Sequence, residues 1–197
     1  MEISFEKILK DLFPSLSESS KDQIKQAIQQ LEVNPKLLFQ FDNLKLDVYQ
    51  GDTFSEIQFV TLIDEGKYAK NNLKCMIISH TCDFEKRENI LIAPIYPIDI
   101  IKKRFDKLQI DSIKKNFIYD KIFLPYPTAE NGLVVDLNGI NSVRKSFIKT
   151  LINKNKLYRL TTFSQIGFYF FIIKLTVHFL RRENTKDIQR EKYEIFN

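Results

Sequence analysis

The spacing of apolar residues changes character near residue 46. Before it, Ile3, Ile8, Leu9, Leu12 and Phe13 approximate one helical stripe that Pro14 ends. Ser17 or Ser19 caps a second helix with Ile24, Ala27, Ile28 and Leu31 on one side. Asn34-Pro35 closes it and begins a short third segment through Leu38 and Phe39. Beyond residue 46 the pattern predicts strands. Leu46–Tyr49 leads to a Gly51-Asp52 turn, and Phe54–Ile63 reads as a strand with Ile57, Phe59 and Thr61 on one side. Residues 64–72 read as loop. Leu73–Ser79 and Asn89–Ile95 are short apolar strands, the second stopped by Pro94 and Pro97. Such a meander must bury one face, which suits a small barrel or a curled sheet.

Helical spacing returns over Ile98–Phe117, now rich in Lys. Lys121–Leu124 and Leu133–Leu137 are further strand candidates, Ser142–Leu151 is helical or irregular, and Tyr158–Thr162 is a last strand or a lead into a helix. Ser164–Arg182 carries the strongest helical pattern, capped by Ser164, with Phe168, Phe171, Ile172, Leu175 and Phe179 on its buried face. The expected fold is therefore α+β: a helical segment over 1–45, a small barrel with a basic helical insertion and a long C-terminal helix over 46–182, and a polar tail over 183–197.

Composition narrows the setting. The N-terminus lacks a basic stretch followed by an apolar run, so no secretory signal is read there. The longest apolar stretch, Ile166–Leu180, is interrupted by Lys174 and His178 and falls short of the roughly 20 residues a membrane span needs. Two Cys cannot make a disulfide framework. These features predict a cytoplasmic protein without a membrane partner. The net charge of +5 hides a division. Residues 1–100 hold 11 Lys and Arg against 16 Asp and Glu, whereas residues 101–182 hold 16 against 5.

The words Gly51-Asp52-Thr53-Phe54, Cys75-Met76-Ile77-Ile78-Ser79 and Leu91-Ile92-Ala93-Pro94-Ile95 recur in a familiar order. Over residues 49–97 the chain resembles the PemK/MazF-like family of bacterial toxins. The resemblance implies an SH3-like β-barrel, a place in toxin–antitoxin biology and, in active members, RNA cleavage without metal or other cofactor. Active members place an Arg-Pro pair before the second strand, where this chain has Leu73-Lys74-Cys75. Lys74 supplies charge there but no planar fork.

Ser79-His80-Thr81-Cys82-Asp83 is the chemically densest word in the sequence. Four readings stay open. Asp83 and Thr81 can tighten a turn while Cys82 packs as a small hydrophobe. Alternatively, His80 moves a proton beside a phosphate that Ser79 and Thr81 orient. Cys82 can serve as a nucleophile with His80 as base. Last, His80, Cys82 and Asp83 can hold a metal, although no Cys-x-x-Cys pair accompanies them. If the strand persists, His80 and Cys82 share a face. His178 reads as a partly buried structural residue.

Two basic runs supply cations for a phosphate ligand: Lys102, Lys103, Arg104 and Lys107, continued by Lys114 and Lys115, then Arg144, Lys145, Lys149, Lys154, Lys156 and Arg159. Tyr119, Tyr126 and Tyr158 offer rings for unpaired bases. A plain solvated Lys-rich face and a surface for an acidic partner or antitoxin account for the same residues. The leading expectation is binding of RNA or another nucleic acid, extending to toxin-like endoribonuclease activity. Its catalytic residues would be His80, Ser79 and Thr81, with phosphate held by Lys74, Arg87, Lys102, Lys103, Arg104, Arg144 and Lys145. The alternative is a non-catalytic interaction or regulatory module on the same barrel, and oligomers fit either.

Overall fold

The computed structural model describes residues 34–40, 47–125 and 131–180, together with the helical residues Ser19, Asp22 and Gln26. The expectations for most of residues 1–33, and for the tail 183–197, lie outside the described residues. A 3-10 turn at Pro35–Leu38 leads into the two-residue strand β1 (Phe39–Gln40). Strands β2 (Thr53–Leu62), β3 (Tyr68–Ile77) and β4 (Asn89–Pro97) follow as the antiparallel meander that the pattern predicts. A short helix, α1 (Asp83–Lys86), lies between β3 and β4. After β4 come α2 (Ile98–Ile101), α3 (Lys107–Lys114), β5 (Lys121–Leu124), β6 (Leu133–Asp136), β7 (Asn141–Arg144), α4 (Lys145–Asn153), β8 (Arg159–Phe163) and α5 (Gln165–Leu180).

All pairings among these strands are antiparallel, and the sheet runs β1-β8-β2-β3-β4-β6-β5, with β7 also on β4. The protein is thus α+β with an open sheet: among the described residues, no ladder joins β1 to β5. The sheet nevertheless curls. Leu38, Phe39 and Phe163 near one edge share a core with Ile122, Leu124 and Leu133 near the other, and Phe171 and Leu175 of α5 fill the space between them.

Both faces are covered, which explains the continuous apolar runs in place of strict alternation. Met76, Ala93 and Ile95 point to the α5 core. Cys75, Ile77, Ile90 and Ile92 point the other way, onto Phe84 of α1 and Ile148 of α4. Farther along that side Val134 packs on Ile98, Ile101, Ile110 and Ile113. The basic segment 98–117 is therefore two short helices rather than one, with Asp106 and Gln109 forming a reciprocal capping box that starts α3.

Pro94 does not stop β4 but sits inside it, opposite Cys75. Along its other edge β4 pairs with β7 through Asn89–Ile92 and with β6 through Ile95–Pro97. Pro94 falls at the change of partner, where its missing N–H breaks no ladder. The polar run Lys70-Asn71-Asn72, read as loop, belongs to β3. There β3 pairs only with β2, and the β3 side chains of Lys70, Asn71 and Asn72 are all exposed, although Phe59 opposite Asn71 is buried.

Helix α5 starts as its sequence suggests. Ser164 Oγ accepts from Gly167 N at 3.1 Å and donates to the Leu37 carbonyl. A methyl group on Gly167 would stand 2.1 Å from the Leu38 carbonyl oxygen, so only glycine admits this approach. Phe171 is fully buried and Leu175 nearly so, while Phe168 and Ile172 are partly buried and Phe179 is 60% exposed. Lys174 is buried too, and its ammonium donates to the carbonyls of Asn116 and Ile118. Burial lowers its pKa to about 8. Among the described residues, no helix is long and apolar enough to cross a membrane.

Candidate nucleic-acid interface

Strand β3 ends at Ile77, so alternation of faces does not extend to His80 and Cys82. Instead the chain turns into α1, with Asp83 N donating to the His80 carbonyl and Phe84 N to that of Thr81. Ser79 is buried, and its Oγ accepts from Leu91 N at 2.8 Å. His80 is exposed, and its Nδ1 accepts from Cys82 N at 3.2 Å. Thr81 Oγ1 accepts from Gln50 N at 3.1 Å, tying the segment to the turn before β2. Cys82 is exposed and precedes α1, and Asp83 lies 3.8 Å from Arg87 Nε. Three of the five side chains thus hold backbone. Among the described residues, no group of three or more His, Cys, Asp and Glu side chains is placed to hold a metal ion.

Strand β4 sorts the candidate cations. At its start, Asn89 pairs with Arg144, Lys145 N donates to the Glu88 carbonyl, and Lys145 Nζ donates to the Glu85 carbonyl at 3.1 Å. This is also the end that carries the 79–83 segment, since Ile78 N and Ser79 N both donate to Leu91 O. Arg87, Arg144, Lys145 and Lys149 therefore gather around α1, beside His80. Asp83, Glu85 and Glu88 share this end, so the cationic surplus comes from β7 and α4.

Lys102, Lys103 and Arg104 follow α2, beyond the far end of β4. At about 3.3 Å per residue, the nine residues of β4 put its two ends roughly 26 Å apart. Lys102 is also paired, its Nζ 2.8 Å from Asp99 Oδ1. Lys74 lies on β3 opposite Ile95, toward the far end of β4 and not at the end that carries His80. His178 stacks on Tyr119, ring centres 6.5 Å apart, and meets the edge of Phe179.

A buried polar network beside this segment escaped the sequence reading. Asp52 is wholly buried; Tyr49 N donates to its Oδ2 at 2.8 Å, Thr162 Oγ1 donates to Oδ1, and Arg159 Nε lies 3.0 Å from Oδ2. Burial raises the Asp52 pKa, against the lowering effects of Thr162, the Tyr49 amide and Arg159. Arg159 also donates to the Asp47 carbonyl, and its guanidinium lies 5.8 Å from the Tyr49 ring centre. The signal was Gly51-Asp52 itself. Gly51 has φ +87°, and a methyl group there would strike the Phe163 ring. The turn therefore lies flat on β8 and carries Asp52 under Arg159.

Two hollows flank this turn. One of about 370 Å³ lies against β8 and the start of α5, and another of about 460 Å³ lies against α1 and α4; Tyr49 and Thr81 line both. Lys149 lines the second. No protein-family model matches this sequence, and no curated protein matches it.

Proposed function

We propose that the chain binds RNA or another single-stranded nucleic acid through the face built by α1, β7 and α4. In this reading the curled sheet is an SH3-like barrel of the PemK/MazF-like type, with α5 set between its ends. The carrying observation is the bond from Lys145 Nζ to the Glu85 carbonyl. It fixes the start of α4 against the segment that holds His80, so cations and polar loop form one surface. Clustered cations release counterions on meeting phosphates, and that release supplies affinity.

Two features favour binding over cleavage. The Ser79 hydroxyl is engaged with Leu91 N, and His80 Nδ1 is engaged with Cys82 N. The non-catalytic form of the module is therefore the reading we favour. An acidic antitoxin-like partner would compete for the same face. Fluorescence anisotropy with single-stranded RNA across a salt series tests the proposal, and incubation of the same RNA with EDTA present tests cleavage. Affinity that does not fall with salt would remove the interface. Cleavage lost in His80→Ala would restore the enzyme.

A further inference from the structure

The hollow of about 460 Å³ against α1 and α4 is within the usual size of small-ligand sites. Its apolar wall is firm. Phe84 belongs to the core, and Val48 and Ile152 pack against that core. Tyr49 adds a ring to the lining. From α4 the lining takes Lys149, Ile152 and Asn153, the i, i+3 and i+4 positions of one helix face.

The segment before α1 presents its polar groups in the same way. Phe84 N donates to the Thr81 carbonyl, and Glu85 N and Lys86 N donate to that of Cys82, so helical backbone runs back from α1 to Thr81. Thr81 and Glu85 are four positions apart on it and share one side, and both line the hollow. Thr81 Oγ1 accepts from Gln50 N, which leaves its O–H to donate. The Glu85 carbonyl accepts from Lys145 Nζ, and its exposed carboxylate is left for a ligand. Asp47 is a second exposed carboxylate of the lining. Two carboxylates against the one ammonium of Lys149 make the hollow a poor seat for phosphate. They suit N–H donors on the edge of a flat apolar body.

We infer that this hollow takes a guanine base of the bound strand. Among the four RNA bases, only guanine carries two adjacent N–H donors on its pairing edge, N1–H and the N2 amino group. One carboxylate accepts both, as it accepts the fork of an arginine. Glu85 is that acceptor, the Thr81 hydroxyl donates to guanine O6, and the ring lies on the apolar wall. Uracil would turn carbonyl oxygens toward the carboxylates. The inference rests on the nucleic-acid reading above. Lys149, exposed on the same lining, meets the phosphate beside the base, and Arg144 and Lys145 continue the track.

The test uses the full chain with free guanosine and with single-stranded RNA of fixed length. The strands are U alone, or U with guanosine, inosine or adenosine at the central position. The guanosine strand should bind about tenfold more tightly than the U strand. Inosine keeps O6 and N1–H but lacks the amino group, so it should lose most of that advantage, as should adenosine. Glu85→Gln offers the guanine edge one acceptor and one donor, and should bring the guanosine-to-U ratio near one. The ratio is the readout, because removing a negative charge beside the cations tightens every strand. A guanosine preference that survives Glu85→Gln overturns the assignment. Equal affinity for all four strands, with the salt dependence intact, overturns the pocket and leaves the phosphate interface standing. Guanosine bound by the wild type in calorimetry and lost in Glu85→Gln, with no strand bound, sustains the pocket and removes the strand. An oligo-arginine peptide bound in place of every strand, and lost in Glu85→Gln, overturns both readings and makes the hollow a seat for a partner protein's cation.

Discussion

Arg159 Nε lies 3.0 Å from Asp52 Oδ2, with the carboxylate wholly buried. This pair joins the turn before β2 to strand β8, and with Thr162 and the Tyr49 amide it fixes the wall between the two hollows. Removing one partner of a buried pair leaves the other uncompensated. Arg159→Met should therefore cost about 3–5 kcal/mol in chemical denaturation. Adding Asp52→Asn to it should cost less than the sum of the two single changes. Strict additivity would mean that the pair is not coupled.

The same carboxylate sets a pH trend. Its folded pKa stands above the ordinary 3.8 because burial outweighs its partners. The folded state then binds the proton more tightly, so this contribution is full below 3.8 and is lost as pH rises through the folded value. Wild type should lose stability relative to Asp52→Asn as pH climbs from about 4. An unchanged gap across that range would contradict the assignment.

Lys174 gives a trend in the alkaline range. Its pKa falls from 10.5 to about 8 on folding. The unfolded chain holds more protons between those values, so stability rises with pH there. Relative to Lys174→Met, wild type should gain about 3 kcal/mol between pH 8 and the far side of 10.5. Denaturation curves at both ends measure it, and a flat difference would place the ammonium in water.

The two thiols should separate cleanly. Cys82 is exposed, whereas Cys75 is fully buried and its thiol is pushed up to about 12. An aromatic disulfide reagent at neutral pH should titrate one thiol at once and the second only at the rate of unfolding. Two fast thiols would mean that β3 is not packed as described.

Gly167→Ala should destabilise by about 3 kcal/mol, the upper part of the overpacking range. The added methyl meets the Leu38 carbonyl at 2.1 Å, and backbone cannot swing aside as a side chain can. A thermal midpoint equal to wild type would show that α5 does not approach this turn so closely.

Much of this architecture was legible in the sequence for a plain reason. The meander and α5 are made of segments that bury apolar side chains, and such burial leaves short apolar runs and a helical stripe in the sequence. Three things left no trace. Pro94 reads as a stop, because a partner change between β7 and β6 is decided by residues roughly forty to fifty positions downstream. The start of β3 reads as loop, because none of its own side chains from Tyr68 to Asn72 is buried to mark a face. Arg159 reads as one more cation of a basic run, because its partner Asp52 lies at the other end of the sheet's sequence. For the candidate site, the residue types of the 79–83 segment were legible. Their use in holding backbone depended on Gln50 and Leu91 arriving from elsewhere.

The most direct test of the central claim compares two triple variants in salt-titrated RNA binding. One replaces Arg144, Lys145 and Lys149 with Gln, and the other replaces Lys102, Lys103 and Arg104. Each phosphate contact contributes about −0.7 to the slope of log affinity against log salt for a single strand. The first variant should therefore flatten the slope by roughly 2, while the second keeps the wild-type slope. Equal slopes in wild type and the first variant, or a loss confined to the second, would contradict the interface.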